Sequence, residues 1–379
     1  MEIRANHENG GTNMMRKNRK GSITLVLCLA MAALVVSGCI SQEEEKAPTE
    51  TTPPEKQKVI LGTFAGPYED YVKEIAEGFE AETGIQVEVV AVNSDNEWIS
   101  KIKLWGDEPE VHVMYLGLPR FIRGSLDGLW APLNLDNIPQ WKNLYQVGLD
   151  SGKGTDGVQY GLPYDFAAWG IIYQKERVPE PPTSWKDLWN VEKFGNVGSE
   201  TWFDQFYAAT GATWGYAPEQ YEEIIAKMKE LQDTGGLRLA ESYSKMQTML
   251  QMGDINLAGC WDGRAYTFEK AGVDVGWVIP QEGAVAWIGL LAIPKGVPNQ
   301  ELAEKLINYI ISPGPQLTFV DLIHYGSPNK LTQLTPELQA MVVDGEQEIN
   351  SLIGMEYYWY MAQHYDEIQE LWEREILGG

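Results

Sequence analysis

The sequence lacks the motifs on which most enzymes and metal sites depend. No P-loop (G-x-x-x-x-G-K-[ST]), nucleophile elbow (G-x-S-x-G) or zinc helix (H-E-x-x-H) occurs in its 379 residues. Histidine is scarce as well, and His112, His324 and His364 are far apart and without the spacing of metal ligands. The sequence therefore predicts a protein that is not an enzyme and that holds no metal and no cofactor.

Basic residues and cysteines are also few. The chain has 29 Lys and Arg against 54 Asp and Glu, which gives a formal net charge of −25. A surface of this sign repels phosphates, so nucleic acid is excluded as a partner. Of the three cysteines, Cys28 lies in a segment predicted to be removed and Cys39 is predicted to be lipidated. Cys260 then remains alone, and no disulfide is expected in the mature chain.

No apolar run has the length typical of a transmembrane helix, but a shorter apolar run lies near the N-terminus. A basic cluster precedes the apolar residues 23–36, and Val36-Ser37-Gly38-Cys39 looks like a bacterial lipobox. We predict a signal peptide over 1–38 and a lipid on Cys39; an uncleaved anchor helix is the alternative. Residues 39–57 contain almost no large apolar side chains and are expected to form a disordered tether. Both alternatives place the rest of the chain outside the cytoplasm.

Hydrophobic periodicity after the tether alternates between strand and helix. Val59 to Leu61 predicts a strand, and Tyr71, Ile75 and Phe79 predict one buried face of a helix that Gly84 ends. The alternation continues to the C-terminus, where the last 25 residues are expected to form one amphipathic helix. Such a pattern is typical of an α/β fold with mostly parallel sheets. About 320 residues are more than one core usually serves, so two lobes are expected.

Aromatic residues are abundant, and several stand next to carboxylates. All 14 tryptophans lie after Cys39, and Trp261 directly follows a predicted strand and precedes Asp262. Most buried indoles belong to the core. A tryptophan at the carboxyl end of a strand, however, is well placed to cover a ligand, because α/β sheets open their ligand crevice at that end.

Several blocks of sequence carry a resemblance to a known family. They are F-E-A-E-T-G-I-Q-V (79–87), Y-G-L-P-Y (160–164), T-S-W-K-D-L-W (183–189), L-A-G-C-W-D-G-R-A (257–265), P-Q-E-G-A-V-A-W-I-G-L-L-A-I-P-K (280–295) and Y-G-S-P-N (325–329). In this order the chain resembles the spermidine/putrescine-binding proteins and their type II periplasmic relatives, the substrate-binding subunits of ABC importers.

The resemblance implies a two-lobe α/β fold in which each lobe has a mostly parallel sheet flanked by helices. Lobe 1 is expected over 58–164 plus 289–325, and lobe 2 over 165–288 plus 326–379. Hinge crossings are expected near Asp165, near Gly289 and after Tyr325. The lobes would close on a solute and present the closed form to a membrane permease with its ATPase subunit.

The family's binding residues carry over position by position. Phe64, Trp261, Trp287 and Tyr325 match aromatic residues around the ligand, Tyr115 matches a polar wall position, and Asp204 matches an amine-binding carboxylate with Glu200 close by. Asp165 and Asp262 are expected to add negative charge. The expected ligand-binding residues are therefore Phe64, Tyr115, Asp165, Glu200, Asp204, Trp261, Asp262, Trp287 and Tyr325.

One position departs from the family pattern. The polyamine binders carry an aspartate two residues after the second tryptophan, and this chain has Gly289 there. Arg264 is either an anion contact or a solvent-facing helix residue. The pair Tyr357-Tyr358, with Tyr360, leaves a ferric-iron receptor open, and thiamine or amino-acid-like solutes are also known in the wider family.

The resulting hypothesis is a monomeric, lipid-anchored receptor on the outer face of the cytoplasmic membrane, at the cell surface or in the periplasm. It would bind a small amine-type, cationic solute for an ABC importer. An exported hydrolase is the alternative outside this class.

Overall fold

The computed structural model of the protein describes residues 57–93 and 95–378. The predicted signal peptide (1–38), Cys39 and the predicted tether as far as residue 56 lie outside these described residues. Within the described part, no helix combines the length and the apolar character needed to cross a membrane.

Nine strands of the described chain form one mixed sheet. They are β1 (Lys58–Phe64), β2 (Gln86–Val92), β3 (Val113–Gly117), β4 (Gly161–Gln174), β5 (Val197–Glu200), β6 (Leu237–Ala240), β7 (Leu257–Trp261), β8 (Val275–Val278) and β9 (Val285–Ala292). Their order is β2-β1-β3-β9-β4-β7-β5-β6, and β8 pairs with β4.

Helices cover the sheet. They are α1 (Pro67–Thr83), α2 (Asp95–Trp105), α3 (Leu118–Leu126), α4 (Gln146–Ser151), α5 (Val191–Phe194), α6 (Asp204–Trp214), α7 (Tyr221–Asp233), α8 (Tyr243–Met252), α9 (Asp262–Lys270), α10 (Gln300–Ile310), α11 (Pro313–Ile323), α12 (Pro336–Gln339), α13 (Glu346–Asn350), α14 (Met355–Gln363) and α15 (Tyr365–Trp372). The mixed α/β architecture confirms the predicted fold class.

Helix α1 shows how directly the local sequence determines these elements. Pro67 occupies its first turn, and Gly84 ends it in the left-handed conformation, with φ 71°. Tyr71, Ile75 and Phe79 are buried on one face, as their fourfold spacing predicts. The C-terminus differs from the prediction of one helix, because His364 leaves helical geometry (φ −118°, ψ 25°) and separates α14 from α15.

The sheet consists of two parallel groups joined by two long antiparallel strands. Strand β1 is parallel to β2 and β3, and β5 is parallel to β6 and β7. Between the groups, β9 runs antiparallel to β3 and β4, and β4 runs antiparallel to β7. All 14 residues of β4 are buried, since it is covered on both faces along its whole length. The carboxyl ends of β1 and β7 meet near this junction.

Candidate functional site

A cavity of about 360 Å³ lies where the carboxyl ends of the two parallel groups meet. This volume is at the lower end of the range for small-molecule sites. Five of the residues predicted from the sequence line the cavity: Phe64, Asp204, Trp261, Trp287 and Tyr325. The prediction did not single out eight further lining residues: Ala65, Tyr68, Asn93, Pro119, Arg120, Trp202, Gln205 and Tyr243. Arg264, for which the sequence left two interpretations, also lines it.

Aromatic rings form the walls of this cavity. Trp261, which ends β7, packs edge-to-face on Trp287 with ring centroids 5.6 Å apart, and its ring centroid is 6.5 Å from that of Tyr325. On the opposite wall, Phe64 at the end of β1 packs edge-to-face on Tyr68 of α1, at 5.3 Å. Edge-to-face packing leaves electron-rich ring faces available to a ligand. The cavity can therefore hold an apolar stem and a positively charged group between ring faces.

Asp165 lies behind this wall and is fully buried. Its carboxylate accepts hydrogen bonds from the Tyr68 hydroxyl at 2.7 Å and from the Trp287 indole N–H at 2.9 Å. Burial raises the pKa of Asp165 to about 7, although both hydrogen bonds favour the charged form. Asp165 is not a lining residue; it acts on the cavity through the two aromatic residues that it orients.

The carboxylate of Asp165 also bears on position 289, where this chain has a glycine and the polyamine-binding proteins carry an aspartate. Asp165 is paired with Gly289 across β4 and β9, at a register shift after Pro163. A Cβ atom on Gly289 would lie 2.1 Å from Asp165 Oδ1 and 2.5 Å from Tyr164 Cζ. The carboxylate that the resemblance expects at 289 is absent, and the neighbouring strand fills that space with the carboxylate of Asp165.

Glu200 has an equivalent arrangement on the other side of the cavity. It ends β5, is buried, and accepts hydrogen bonds from the Tyr243 hydroxyl at 2.7 Å and the Trp169 indole N–H at 3.4 Å. Burial raises its pKa to about 7. Tyr243 lines the cavity and Glu200 does not. Two tyrosines that line the cavity, Tyr68 and Tyr243, thus donate their hydroxyl protons to buried carboxylates that do not line it.

Asp204 does reach the cavity, but its charge is already paired. Arg120 of α3 holds it with two hydrogen bonds, Nη1 to Oδ1 at 3.0 Å and Nη2 to Oδ2 at 3.3 Å. The two side chains are 8% and 5% exposed. Arg120 also packs against the ring of Tyr365. The pairing leaves Asp204 with little net charge to offer a solute.

Two other predicted residues lie outside the cavity. Tyr115 is fully buried and packs edge-to-face on Tyr164, with ring centroids 4.3 Å apart. Asp262 faces a second, larger cavity of about 750 Å³ between α9, β8 and residues 339–343. It accepts the backbone N–H groups of Ala168 and Gly263, and burial raises its pKa to about 8. Apart from Asp262, none of the predicted binding residues lines the larger cavity.

The tyrosines considered as iron ligands have structural partners. The Tyr357 hydroxyl donates to the Tyr216 carbonyl at 2.6 Å, and the Tyr358 hydroxyl donates to the Ala286 carbonyl at 2.8 Å. Neither lines the cavity. In the described residues, no cluster of three or more His, Cys, Asp or Glu side chains is arranged to hold a metal ion.

This fold and cavity define a class: a binding protein of the type II periplasmic architecture. An ABC transporter substrate-binding protein from Bradyrhizobium japonicum has the same fold, with a TM-score of 0.73 and 20% sequence identity over 85% of this chain and 100% of that one. The family model described as bacterial extracellular solute-binding protein matches residues 74–342. The chain belongs to this family, and it is a receptor for a small solute outside the cytoplasm.

Two curated relatives are similar over most of their length. The spermidine/putrescine-binding periplasmic protein of Escherichia coli is 26% identical over 273 residues, which is 70% of this chain and 77% of that protein. The gamma-aminobutyric acid-binding protein of Pseudomonas aeruginosa is 25% identical over 282 residues, which is 67% of this chain and 72% of that protein. The resemblance to the polyamine-binding family is thereby confirmed, while the binding roles of individual side chains stay predictions.

Proposed function

We propose that the protein is the receptor subunit of an ABC importer and binds an amine-type solute in the aromatic cavity. It would bind the solute without chemical change, as a monomer, and deliver it to a permease driven by an ATPase subunit. A lipid on Cys39 would hold it at the outer face of the cytoplasmic membrane. The names of the two curated relatives, both of amine compounds, support this class of solute.

The observation that carries the proposal is the wall of rings with carboxylates behind it. An ammonium group over the Trp261 or Trp287 indole gains roughly 0.5–2 kcal/mol, depending on desolvation. The Tyr68 hydroxyl donates to Asp165, so its oxygen is free to accept an N–H of the ammonium. Negative charge thus reaches the cavity through a phenol, and an amine can bind without a carboxylate in direct contact.

The proposal includes closure of two lobes around the solute. Lobe 1 consists of residues 58–164 and 289–325, and lobe 2 consists of residues 165–288 and 326–379. The three expected crossings lie side by side, since Asp165 pairs with Gly289 and Phe166 exchanges two backbone hydrogen bonds with Gly326. Phe64 and Trp261, which line one cavity, come from different proposed lobes. A solute that contacts both would stabilise the closed form over the open one.

The test is a thermal-shift screen of the purified chain against amines, amino acids, thiamine, sugars and ferric iron, followed by calorimetry and solution scattering. A true solute at one hundred times its Kd stabilises the protein by about 2.7 kcal/mol. Trp261→Ala should weaken binding about tenfold or more, and the control Trp141→Ala, at a partly buried position outside the cavity, should not. Scattering should show a smaller bound radius, and the solute should be recovered unchanged. Tight binding of a sugar or ferric iron with all amines inert, or turnover of the solute, would overturn the proposal.

A further inference from the structure

One positively charged side chain that lines the cavity has no ion-pair partner among the described residues. Arg264 lies in the first turn of α9, is half-buried, and lines the cavity. Its guanidinium carbon is 5.8 Å from the centroid of the Tyr243 ring, and its Nε has no hydrogen-bond partner. Across residues 57–93 and 95–378, no carboxylate forms an ion pair with it.

The nearby carboxylates are already engaged elsewhere. Asp204 is held by the two Nη groups of Arg120. Glu200 accepts the Tyr243 hydroxyl, and Asp262 accepts two backbone N–H groups on the side of the larger cavity. A guanidinium is always charged in proteins and is costly to bury without an acceptor. The described side chains therefore leave this guanidinium open to an anionic group of the solute.

We infer that the solute carries a carboxylate and that Arg264 binds it. The inference rests on the proposed function and makes its solute more specific: an amino acid in which an apolar stem separates the ammonium from the carboxylate. The ammonium would lie on the ring faces of Trp261 and Trp287, near the Tyr68 oxygen, and the carboxylate on the guanidinium. The planar fork of arginine fits a carboxylate with two parallel hydrogen bonds.

A diamine fits this cavity less well than such an amino acid. With one ammonium on the rings, its second ammonium would face Arg264, where like charges repel at short range. A monoamine would avoid the repulsion but leave the guanidinium without an acceptor. The pairing of Arg120 with Asp204 removes the carboxylate that would otherwise have received a second ammonium.

Calorimetry with probes of matched length tests the inference. The probes are 4-aminobutanoate against 1,4-diaminobutane and butylamine, and 5-aminopentanoate against 1,5-diaminopentane. We expect at least one amino acid to bind about tenfold or more tightly than its matched amines, as expected from one charge-assisted contact. Arg264→Gln should reduce that amino acid's affinity about 10- to 100-fold and change butylamine affinity less than twofold.

Two further variants separate this effect from damage to the fold. Arg264→Lys keeps the positive charge but lacks the planar guanidinium group, so it should bind the amino acid more tightly than Arg264→Gln and less tightly than the parent. Arg238→Gln, at an exposed position outside the cavity, should bind like the parent. Tight diamine binding that Arg264→Gln leaves unchanged would overturn the inference and leave the proposed function standing. Failure of every amine-bearing probe would overturn both.

Discussion

The buried ion pair between Arg120 and Asp204 allows a quantitative test of how the cavity is built. Arg120 comes from α3 and Asp204 from the first turn of α6, so the pair joins two elements on opposite sides of the cavity. The two hydrogen bonds of 3.0 and 3.3 Å have the geometry of a bidentate pair. The perturbation is to remove one partner at a time, with Arg120→Met and Asp204→Leu, and then both, with Arg120→Met/Asp204→Leu.

The expected magnitude follows from burial. With side chains only 8% and 5% exposed, each single substitution removes the ion-pair partner of a group that stays largely out of water. Breaking a buried pair in this way costs about 3–5 kcal/mol of unfolding free energy. Replacing both groups by apolar side chains removes that penalty. The double variant should therefore be more stable than the sum of the two losses predicts, by about 1–3 kcal/mol.

Denaturant unfolding at neutral pH measures these free energies, and an exposed pair in the same protein provides the control. Lys103 and Asp127 are 2.7 Å apart with side chains 47% and 38% exposed, so Lys103→Met should cost less than about 1 kcal/mol. Single losses at Arg120 and Asp204 no larger than this control, or strictly additive losses, would refute the reasoning. Loss of solute binding in Asp204→Leu at full stability would instead show that Asp204 contacts the solute directly.

Two other predictions concern buried groups near the cavity. Gly289→Ala should lower the unfolding free energy by about 1–3 kcal/mol, because a Cβ atom at this position would lie 2.1 Å from Asp165 Oδ1. Gly314→Ala is the control, since a Cβ atom there would have no other atom within 4 Å. Equal melting temperatures for the two variants would contradict the prediction. Burial raises the pKa of Asp262 from 3.8 to about 8. The folded state therefore binds its proton more tightly than the unfolded state, and the stabilising contribution of Asp262 should fall as pH rises from about 5 to 8, by up to about 1.4 kcal/mol per pH unit. Asp262→Asn should remove this part of the pH dependence in denaturant unfolding and leave the parts due to Asp165 and Glu200, whose pKa burial also raises. Identical slopes for the variant and the parent would count against the assignment.

The sequence predicted the parts of the site that depend on strand ends. A short apolar run followed by an aromatic residue places that residue at the carboxyl edge of a sheet. Trp261 at the end of β7 was located in this way, whereas Phe64 at the end of β1 was predicted from the family resemblance, and the structure brings both into one cavity. Local periodicity and family resemblance suffice there, because the position of a residue at the end of its own strand depends on few distant contacts.

Residues on helices were harder to find. Tyr68 has the sequence context of an ordinary aromatic on the buried face of α1, and only its hydrogen bond to Asp165, 97 residues away, distinguishes it. Arg120 similarly resembles a surface arginine near a helix start until its partner, 84 positions later, is known. A single sequence contains no signal for such pairs. Asp204, the helical residue of this cavity that was predicted, was found through the family resemblance and not through a local pattern.

The charge of the cavity depends on pairings of this kind more than on composition. Counting carboxylates in a chain with a net charge of −25 favours a cationic solute, and four of the predicted site residues are acidic. In the structure Asp165 and Glu200 lie behind tyrosines, Asp262 faces another cavity, and Asp204 is neutralised by Arg120. Among the described residues, Arg264 is the charged residue that lines the cavity without an ion-pair partner. Because such pairings form between residues far apart in sequence, a strongly acidic protein can present a positively charged group to its ligand.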